Sequence, residues 1–508
     1  MLPEPEITLE KGYLDQLETH ELHHHSPSNG KSGGLRLVFS MISALLRAAR
    51  PAFLRWPSGR KAKLRRTAYL DGLRGFAALM VYCLHHELWA HESMKADKKL
   101  ESAWGYEGNY YLACFHFVRT FFSGGHYAVT TFFVISGYVL SLKPIGLMNS
   151  GQYDKLLDNI SSAMFRRWLR LWIPIIFVTF GIVIMWHVFG VQANAGAWKP
   201  EKTLRAGLWT WYVDIKNYTW IFSTGGKPWF DYNPHIWSIP VEAKGSVAIY
   251  TTLLALAKCS RKARMWCQVA LMWYMIYVAD GAHFAMFIAG MFICEVDYIA
   301  AENGLPEWIT DLKEWKTVFF HCLLAVSMFL GGVPSYDRDI VVLRESPGWY
   351  LLSFLKPQAV FDYKWFFLFW AASSLVITIP RIGWLKRFFE TGFCQYLGRI
   401  SYMFYLLHGP IMWSLGDRIY ASVGWTREAQ AMLFQGWTHR MEVPQIGPFG
   451  MELNFYVPHL ILFPFTLWMA EMGTILIDDN AVKFCAWLYK QTIDRPSDRP
   501  RAQVSPQD

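Results

Sequence analysis

Long apolar blocks separated by short polar links run along most of the chain. About 20 mostly apolar residues suffice for a helix to cross a bilayer, and most of these blocks approach that length. The pattern therefore predicts an all-α bundle, a polytopic membrane protein of about ten transmembrane helices. The predicted spans are 72–92, 126–143, 168–190, 236–257, 265–280, 281–300, 316–333, 362–379, 395–415 and 454–477.

Lysine and arginine concentrate on alternate links between these spans. Ten Lys and Arg residues and no Asp or Glu lie between Lys31 and Leu70. Further basic clusters occur on the links after the second, fourth and eighth predicted spans, and again in the C-terminal tail. Because the cytosolic loops of membrane proteins are enriched in Lys and Arg, both termini are predicted to be cytosolic.

The same pattern divides the chain into three parts. Residues 1–67 are predicted to form a disordered, basic cytosolic region with an amphipathic stretch at 35–50 that lies on the membrane. Residues 68–480 form the predicted membrane domain, and 481–508 the cytosolic tail. The apolar stretch at 110–122, before the second span, is a candidate re-entrant or interfacial helix.

Composition supports a membrane protein and excludes other classes. Hydrophobic residues make up 53% of the chain and charged residues 18%, against about 25% charged residues in soluble domains. The net charge of +9 is explained by loop charge, so nucleic-acid binding is not expected. The eight cysteines show no CxxC pair, and we expect no bound metal or cofactor.

The sequence also bears on location. Asn217-Tyr-Thr219 matches a glycosylation sequon and falls on the predicted lumenal or external side. We therefore expect a multi-pass glycoprotein of the endoplasmic reticulum or another endomembrane, with the plasma membrane as the alternative.

The first predicted span contains several ionisable residues, which are costly in hydrocarbon and usually serve chemistry or transport. Asp71, Arg74, Tyr82 and His85 share one helical face, since eleven residues make about three turns. His85 would lie roughly 16 Å along the helix axis from Arg74. This arrangement predicts a site entered from the membrane surface near Arg74.

Polar residues recur on four other spans. Small residues in a membrane helix can be present only for helix packing. Arginines near a helix end can be present only to anchor that end in the cytosol. A carboxylate inside a membrane helix is harder to explain in structural terms. Imidazole, guanidinium and carboxylate groups together suit group transfer, but also proton-coupled transport. The residues are Ser136, Arg166, Arg167, Arg170, Ser238, Glu242, Ser401, Tyr405 and His408.

Six segments carry a resemblance to a known family. The run Leu70-Asp-Gly-Leu-Arg74-Gly…His85 resembles the opening motif of the acyltransferase 3 family of integral-membrane acyltransferases, in which Arg and His are separated by ten residues. Later segments resemble that family's further motifs in the same order, and the Trp- and Tyr-rich loops resemble its fungal branch. These segments are Phe132-Phe-Val-Ile-Ser136-Gly, Arg167…Arg170-Leu…Pro174, Trp237-Ser-Ile-Pro-Val-Glu242, Phe287-Ile-Ala-Gly290-Met and Ile400-Ser-Tyr…Tyr405-Leu-Leu-His408.

The resemblance implies transfer of an acyl group, commonly acetyl, from the co-substrate acyl-CoA to a hydroxyl. We expect His85 to act as general base, Arg74 to stabilise the donor or an oxyanion, and Glu242 to orient or balance the imidazole. His86 is the alternative base. Eight residues are expected to bind the donor or the acceptor, and the arginines among them are expected to bind the phosphates of the donor. They are Asp71, Arg166, Arg167, Arg170, Ser136, Ser238, Tyr405 and His408.

The acceptor remains open at this level. A small lipophilic alcohol, such as a fungal secondary metabolite, is favoured over a sugar or lipid because no appended soluble domain suggests a polysaccharide. A proton-coupled transporter and a non-enzymatic membrane scaffold are the alternative functions. A transporter predicts substrate flux without release of free coenzyme A, and a scaffold predicts that His85 and Glu242 are replaceable.

Overall fold

A computed structural model describes residues 64–91, 112–191, 201–222, 230–307, 314–335, 337–425, 433–447 and 451–493. The predicted amphipathic stretch at 35–50 and the end of the C-terminal tail lie outside these residues.

The described residues form a helical bundle and contain no strand. The helices are α1 (Ala68–Ala90), α2 (Gly125–Asn149), α3 (Tyr153–His187), α4 (Leu204–Thr219), α5 (Ser238–Ala255), α6 (Arg261–Tyr277), α7 (Ala282–Ala301), α8 (Lys316–Gly331), α9 (Ile340–Glu345), α10 (Tyr350–Ser353), α11 (Tyr363–Thr378), α12 (Gly383–Phe389), α13 (Gly392–Ile411), α14 (Asp417–Ser422), α15 (Leu453–Tyr456), α16 (His459–Gly473) and α17 (Asp479–Thr492). Short 3₁₀ turns span Leu112–Cys114, Arg119–Phe121, Pro234–Trp237 and Ile379–Arg381, and π turns span Met412–Gly416 and Thr474–Asp478.

Each of the ten predicted spans overlaps one of these helices, and the prediction of an all-α membrane protein is confirmed. Within the described ranges, five helical segments are long and apolar enough to cross a bilayer. The number ten and the cytosolic side of both termini stay predictions. The five segments are Gly125–Asn149, Tyr153–His187, Ala282–Ala301, Tyr363–Arg381 and Leu453–Thr492.

Two boundaries differ from the sequence-based expectation. Helix α3 begins at Tyr153, well before the expected start at 168. Its first turns carry charged residues, so hydropathy misses them, although Leu156 and Ile160 are buried at helical spacing. The arginines of this span therefore lie inside a helix and not at its opening.

Near the C-terminus, α16 continues through a π turn into α17. The expected domain boundary after residue 480 therefore falls within a helix. Helix α17 is amphipathic and packs on α3, with the Phe165 and Tyr489 ring centroids 5.4 Å apart. In the apolar stretch at 110–122, the candidate re-entrant or interfacial helix, the structure describes two 3₁₀ turns from Leu112 onward, and Phe117 between them has a positive φ of 69°.

Helices α1 and α13 pack at backbone contact, and this contact fixes the site. A Cβ atom on Gly75 would lie 2.2 Å from the Gly398 nitrogen, and one on Gly398 would lie 2.3 Å from the Asp71 carbonyl oxygen. Because only glycine allows such an approach, the two helices are held in one register. That register sets the face of α1 carrying His85 against the end of α13 carrying His408.

Candidate active site

Three imidazoles from distant parts of the chain meet inside the bundle. His85 lies on α1, His235 on the 3₁₀ turn before α5, and His408 on α13. The His85 Nδ1 and His408 Nε2 atoms are 2.8 Å apart. The His235 ring lies parallel to that of His85, with centroids 3.7 Å apart and planes at 2°. We call these three residues the histidine cluster.

The hydrogen bonds of the histidine cluster define which nitrogen carries a proton. His408 Nδ1 lies 2.7 Å from the Tyr405 carbonyl oxygen, which can only accept, so Nδ1 is the donor. In a neutral His408 ring, Nε2 must then accept, and it accepts from Nδ1–H of His85. The remaining His85 nitrogen, Nε2, keeps its lone pair. A half-buried imidazole with its bare nitrogen fixed in this way is arranged as a general base.

Ser238 and Tyr405, both expected to bind substrate, hold the turn that carries His235. The Tyr405 hydroxyl donates to the His235 carbonyl, and the Ser238 hydroxyl lies 2.8 Å from the Tyr405 oxygen. On the other side of the turn, Asn233 Nδ2 donates to the Leu406 carbonyl over 2.9 Å. These bonds tie the turn to α13 and set His235 against His85.

Glu242 is placed away from the role expected for it. Its carboxylate accepts from the Ser136 hydroxyl over 2.5 Å and is paired with the Arg167 guanidinium. Arg167 is held further by the Ser246 hydroxyl at 2.5 Å. The hydrogen bond that orients His85 is donated to His408 and not to Glu242, because α5 turns this carboxylate towards α3. Ser136, expected to contact substrate, supports the Arg167–Glu242 pair.

A second group of charges surrounds this pair. Arg74 donates to the Gly398 carbonyl over 3.1 Å and lies 3.6 Å from Asp71, with 38% of its side chain exposed. Arg74 also interacts electrostatically with Glu242 and with Asp478 of the π turn. The structure thus gathers cations from α1 and α3 around three carboxylates.

Three of the four arginines named from the sequence interact with the carboxylates of this charged group. Arg170 interacts electrostatically with Asp478, which brings it into the group. Arg166 Nε donates to the Ser162 carbonyl one turn earlier in α3, and its charge acts with that of Arg167 on Tyr250 and with that of Arg170 on Cys485. We call Arg74, Arg167 and Arg170 the arginine group.

The adjacent residue His86 belongs to a different environment. It is fully buried, and its Nδ1 lies 2.9 Å from the Tyr420 hydroxyl. His459 joins the same cluster, 2.9 Å from the Tyr82 hydroxyl and 3.4 Å from that of Tyr420. We call this the buried tyrosine–histidine cluster. Tyr82, expected on the Arg74 face, faces this cluster instead.

Two site residues were missed from the sequence. His235 follows Asn233-Pro234 and sits beside the Trp237-Ser238 motif, which was the available signal for it. Asp478 lies at the end of an apolar span, where the sequence gives no reason to place it near Arg170. Asn217 of the predicted sequon lies on α4 with an exposed side chain.

Among the described residues, the histidine cluster is a group close enough together to be considered as a metal site. Its ligand nitrogens lie within 4.8 Å of one another. Two nitrogens on one tetrahedral zinc ion are roughly 3.3 Å apart, given Zn–N bonds of about 2.0–2.1 Å. His85 and His408 are closer, at 2.8 Å, and the stacked His85 and His235 rings lie in parallel planes, so their in-plane lone pairs do not converge on one ion. This geometry suits a hydrogen-bonded relay better than a metal site.

Comparison with known proteins places this geometry in a family. A family profile described as an acyltransferase domain matches residues 67–451. The O-acetyltransferase PaAT-1 of Phomopsis amygdali is 29% identical over 488 residues, covering 89% of this chain and 90% of that protein. The acyltransferase clz18 of Cochliobolus lunatus is 23% identical over 475 residues, covering 84% and 96%.

A third relative is the acyltransferase R4 of a Phoma species, 22% identical over 404 residues, covering 70% of this chain and 84% of that protein. No solved structure matches the chain. The matched profile spans α1, α3, α5 and α13, the helices that carry most of the site. The chain belongs to the acyltransferase 3 family and is a membrane-bound acyltransferase.

Proposed function

We propose that the protein transfers an acetyl group from acetyl-CoA to a hydroxyl of a small apolar molecule, with His85 as general base. The observation that carries this proposal is the relay from the Tyr405 carbonyl through His408 to His85. The relay leaves one nitrogen of a half-buried imidazole ready to take a proton. A hydroxyl is a poor nucleophile until a base removes its proton during attack, so this is the group that the reaction needs.

The reaction then follows in two steps. His85 Nε2 takes the acceptor proton as the oxygen attacks the thioester carbonyl, and a tetrahedral oxyanion forms. When it collapses, the C–S bond breaks, and the imidazolium returns the proton to the departing thiolate to give free coenzyme A. Stacking of His235 on His85 and the bond from His408 hold the base in place through both steps.

The arginine group suits the donor. Phosphates of coenzyme A are anionic, and guanidinium groups bind phosphate through paired hydrogen bonds. Arg74 is partly exposed and so open to a ligand, while Arg167 is held in position by Glu242 and Ser246. Glu242 therefore acts on the donor side in this proposal, as the group that fixes Arg167. If the termini are cytosolic, this end of α1 takes acetyl-CoA from the cytosol.

A relative that covers most of the chain is named an O-acetyltransferase, which favours acetyl as the transferred group. The endoplasmic reticulum or another endomembrane is the proposed location, with Asn217 glycosylated if α4 faces the lumen.

The direct test is release of free thiol from acetyl-CoA in membranes containing the protein and a panel of candidate alcohols. His85→Ala should lower this release by about 10²–10⁴-fold, the usual contribution of a general base. His321→Ala, a substitution at an exposed histidine of α8, serves as matched control. Both variants are first shown to insert at the parental level.

Two results would contradict the proposal. His85→Ala protein that transfers acetyl groups at the parental rate would remove His85 from the chemistry. Alcohol-dependent proton flux across the membrane without any coenzyme A release would favour the transporter alternative, in which the same histidines pass protons.

A further inference from the structure

An aromatic group lies beside the histidine cluster and has no role in the mechanism above. His126, Trp237, His283 and Trp365 form it, and we call it the aromatic subsite. The His283 and Trp365 ring centroids are 4.4 Å apart, and those of Trp237 and Trp365 are 5.9 Å apart. His126 meets the Trp365 ring at 5.8 Å with planes at 80°.

Four separate elements build this subsite at one end of the bundle. His126, His283 and Trp365 lie in the first turns of α2, α7 and α11, and Trp237 ends the 3₁₀ turn before α5. Helices that start from different parts of the sequence thus bring ring systems to one place. A lipid-facing surface does not need such convergence, because scattered apolar side chains suffice there.

The aromatic subsite adjoins the proposed base by two routes. Trp237 is two residues from His235, whose ring lies against that of His85. His126 interacts electrostatically with His85 itself. The aromatic subsite therefore shares a turn with His235 and lies within electrostatic range of His85.

The side chains of the aromatic subsite are half-buried, so each ring keeps some accessible surface. Among the described residues, the Nε2 atom of His283 is buried and has no hydrogen-bond partner. An unsatisfied buried nitrogen costs free energy unless something bonds to it, so it marks a position for one polar group of a ligand.

We propose that the aromatic subsite binds the acceptor, and that the acceptor is a planar, ring-containing alcohol. Its flat apolar body lies against Trp237 and Trp365, its reacting hydroxyl points to His85, and a second polar group bonds to His283 Nε2. Aromatic rings favour stacked or edge-to-face partners, which selects flat molecules over flexible chains. This inference rests on the proposed function and names its acceptor class.

A sugar fits the subsite less well. Each sugar hydroxyl taken from water needs a hydrogen-bond partner, and ring faces supply none. The charged group Lys364 has its Nζ 5.3 Å from the Trp365 ring centroid, but it is paired with Asp362 at 3.3 Å.

The test compares three alcohols with acetyl-CoA in membranes: 2-naphthalenemethanol, which is planar, 1-octanol, which is flexible, and glucose, which is polar. Trp365→Ala should lower kcat/KM for 2-naphthalenemethanol roughly tenfold relative to its effect on 1-octanol, as expected for loss of an aromatic contact. Trp365→Phe should retain most of the preference. Trp273→Ala, at an exposed tryptophan of α6, is the control.

The outcomes separate this inference from the proposed function. Equal losses for the planar and the flexible alcohol, or a parental enzyme that acetylates only glucose, would overturn the aromatic subsite and leave acetyl transfer standing. Absence of coenzyme A release with all three alcohols would overturn the proposed function and this inference with it. If Trp365→Ala fails to insert, Trp237→Ala gives the same comparison.

Discussion

Two neighbouring histidines of one helix face entirely different surroundings. His85 is half-buried, hydrogen-bonded to His408 and stacked on His235. His86 has no exposed surface and lies in the buried tyrosine–histidine cluster with Tyr420 and His459. Adjacent side chains on a helix point about 100° apart, so α1 must deliver them to different neighbours.

This difference shows that the surroundings of an imidazole decide whether it can act as a general base. Both residues accept or donate one strong hydrogen bond, but only the His85 surroundings combine an ordered tautomer with partial exposure to a reactant. His86 is tied into packing between α1, α14 and α16. We therefore expect loss of His85 to affect turnover and loss of His86 to affect stability.

The first prediction concerns whether Glu242 acts on the donor or orients His85. If Glu242 fixes Arg167 for the donor, Glu242→Gln should raise KM for acetyl-CoA by about tenfold or more, since charge-assisted hydrogen bonds contribute about 1.5–3 kcal/mol. The value of kcat should fall less. Steady-state thiol release at varied acetyl-CoA measures both.

A matched control comes from an exposed ion pair. Glu302 is 38% exposed and pairs with Arg261 on the surface, so Glu302→Gln should change neither constant. If Glu242→Gln lowered kcat strongly at unchanged KM, the carboxylate would act on the base, as the sequence analysis expected, and the donor-side assignment would be wrong.

The smallest effect on catalysis is expected at His86. His86→Phe removes the bond to Tyr420 while keeping ring contact with Tyr82, whose centroid is 4.1 Å away. Leaving a buried hydroxyl less satisfied costs about 1–3 kcal/mol, so the detergent-solubilised protein should unfold at a lower temperature. Turnover per folded molecule should be little changed. Thermal unfolding followed by thiol release on the same sample tests both statements.

The surface variant His321→Phe is the control for that experiment. An unchanged unfolding temperature together with lost turnover in His86→Phe would reverse the roles assigned to the two histidines.

Much of the fold was predictable because apolar blocks must be helical in a bilayer. Each predicted span overlaps a helix. However, α3 begins before its predicted span and α17 lies beyond the last one, since amphipathic turns carry charges that lower the hydropathy. Helix ends are set by packing on neighbouring helices, which a single-chain pattern does not contain.

Many residues of the candidate site were singled out from the sequence, but their contacts were not. The structure places Arg74, Arg167 and Glu242 in one charged group and His85 in the histidine cluster. The contacts between these residues were not predictable, because their partners lie on α3, α5 and α13. Periodicity reports the face of one helix and nothing about which helix lies opposite, so the 2.8 Å bond between His85 and His408 could not be foreseen.

The central claim is that His85 and His408 act as one unit. A double-mutant cycle of His85→Ala, His408→Ala and the double variant, with radiolabelled acetyl-CoA transfer as readout, tests it directly. If His408 works only by orienting the base, His408→Ala should cost about 100-fold, and the double variant should be no slower than His85→Ala alone. Losses that multiply in the double variant would show that the two histidines act independently and would contradict the account.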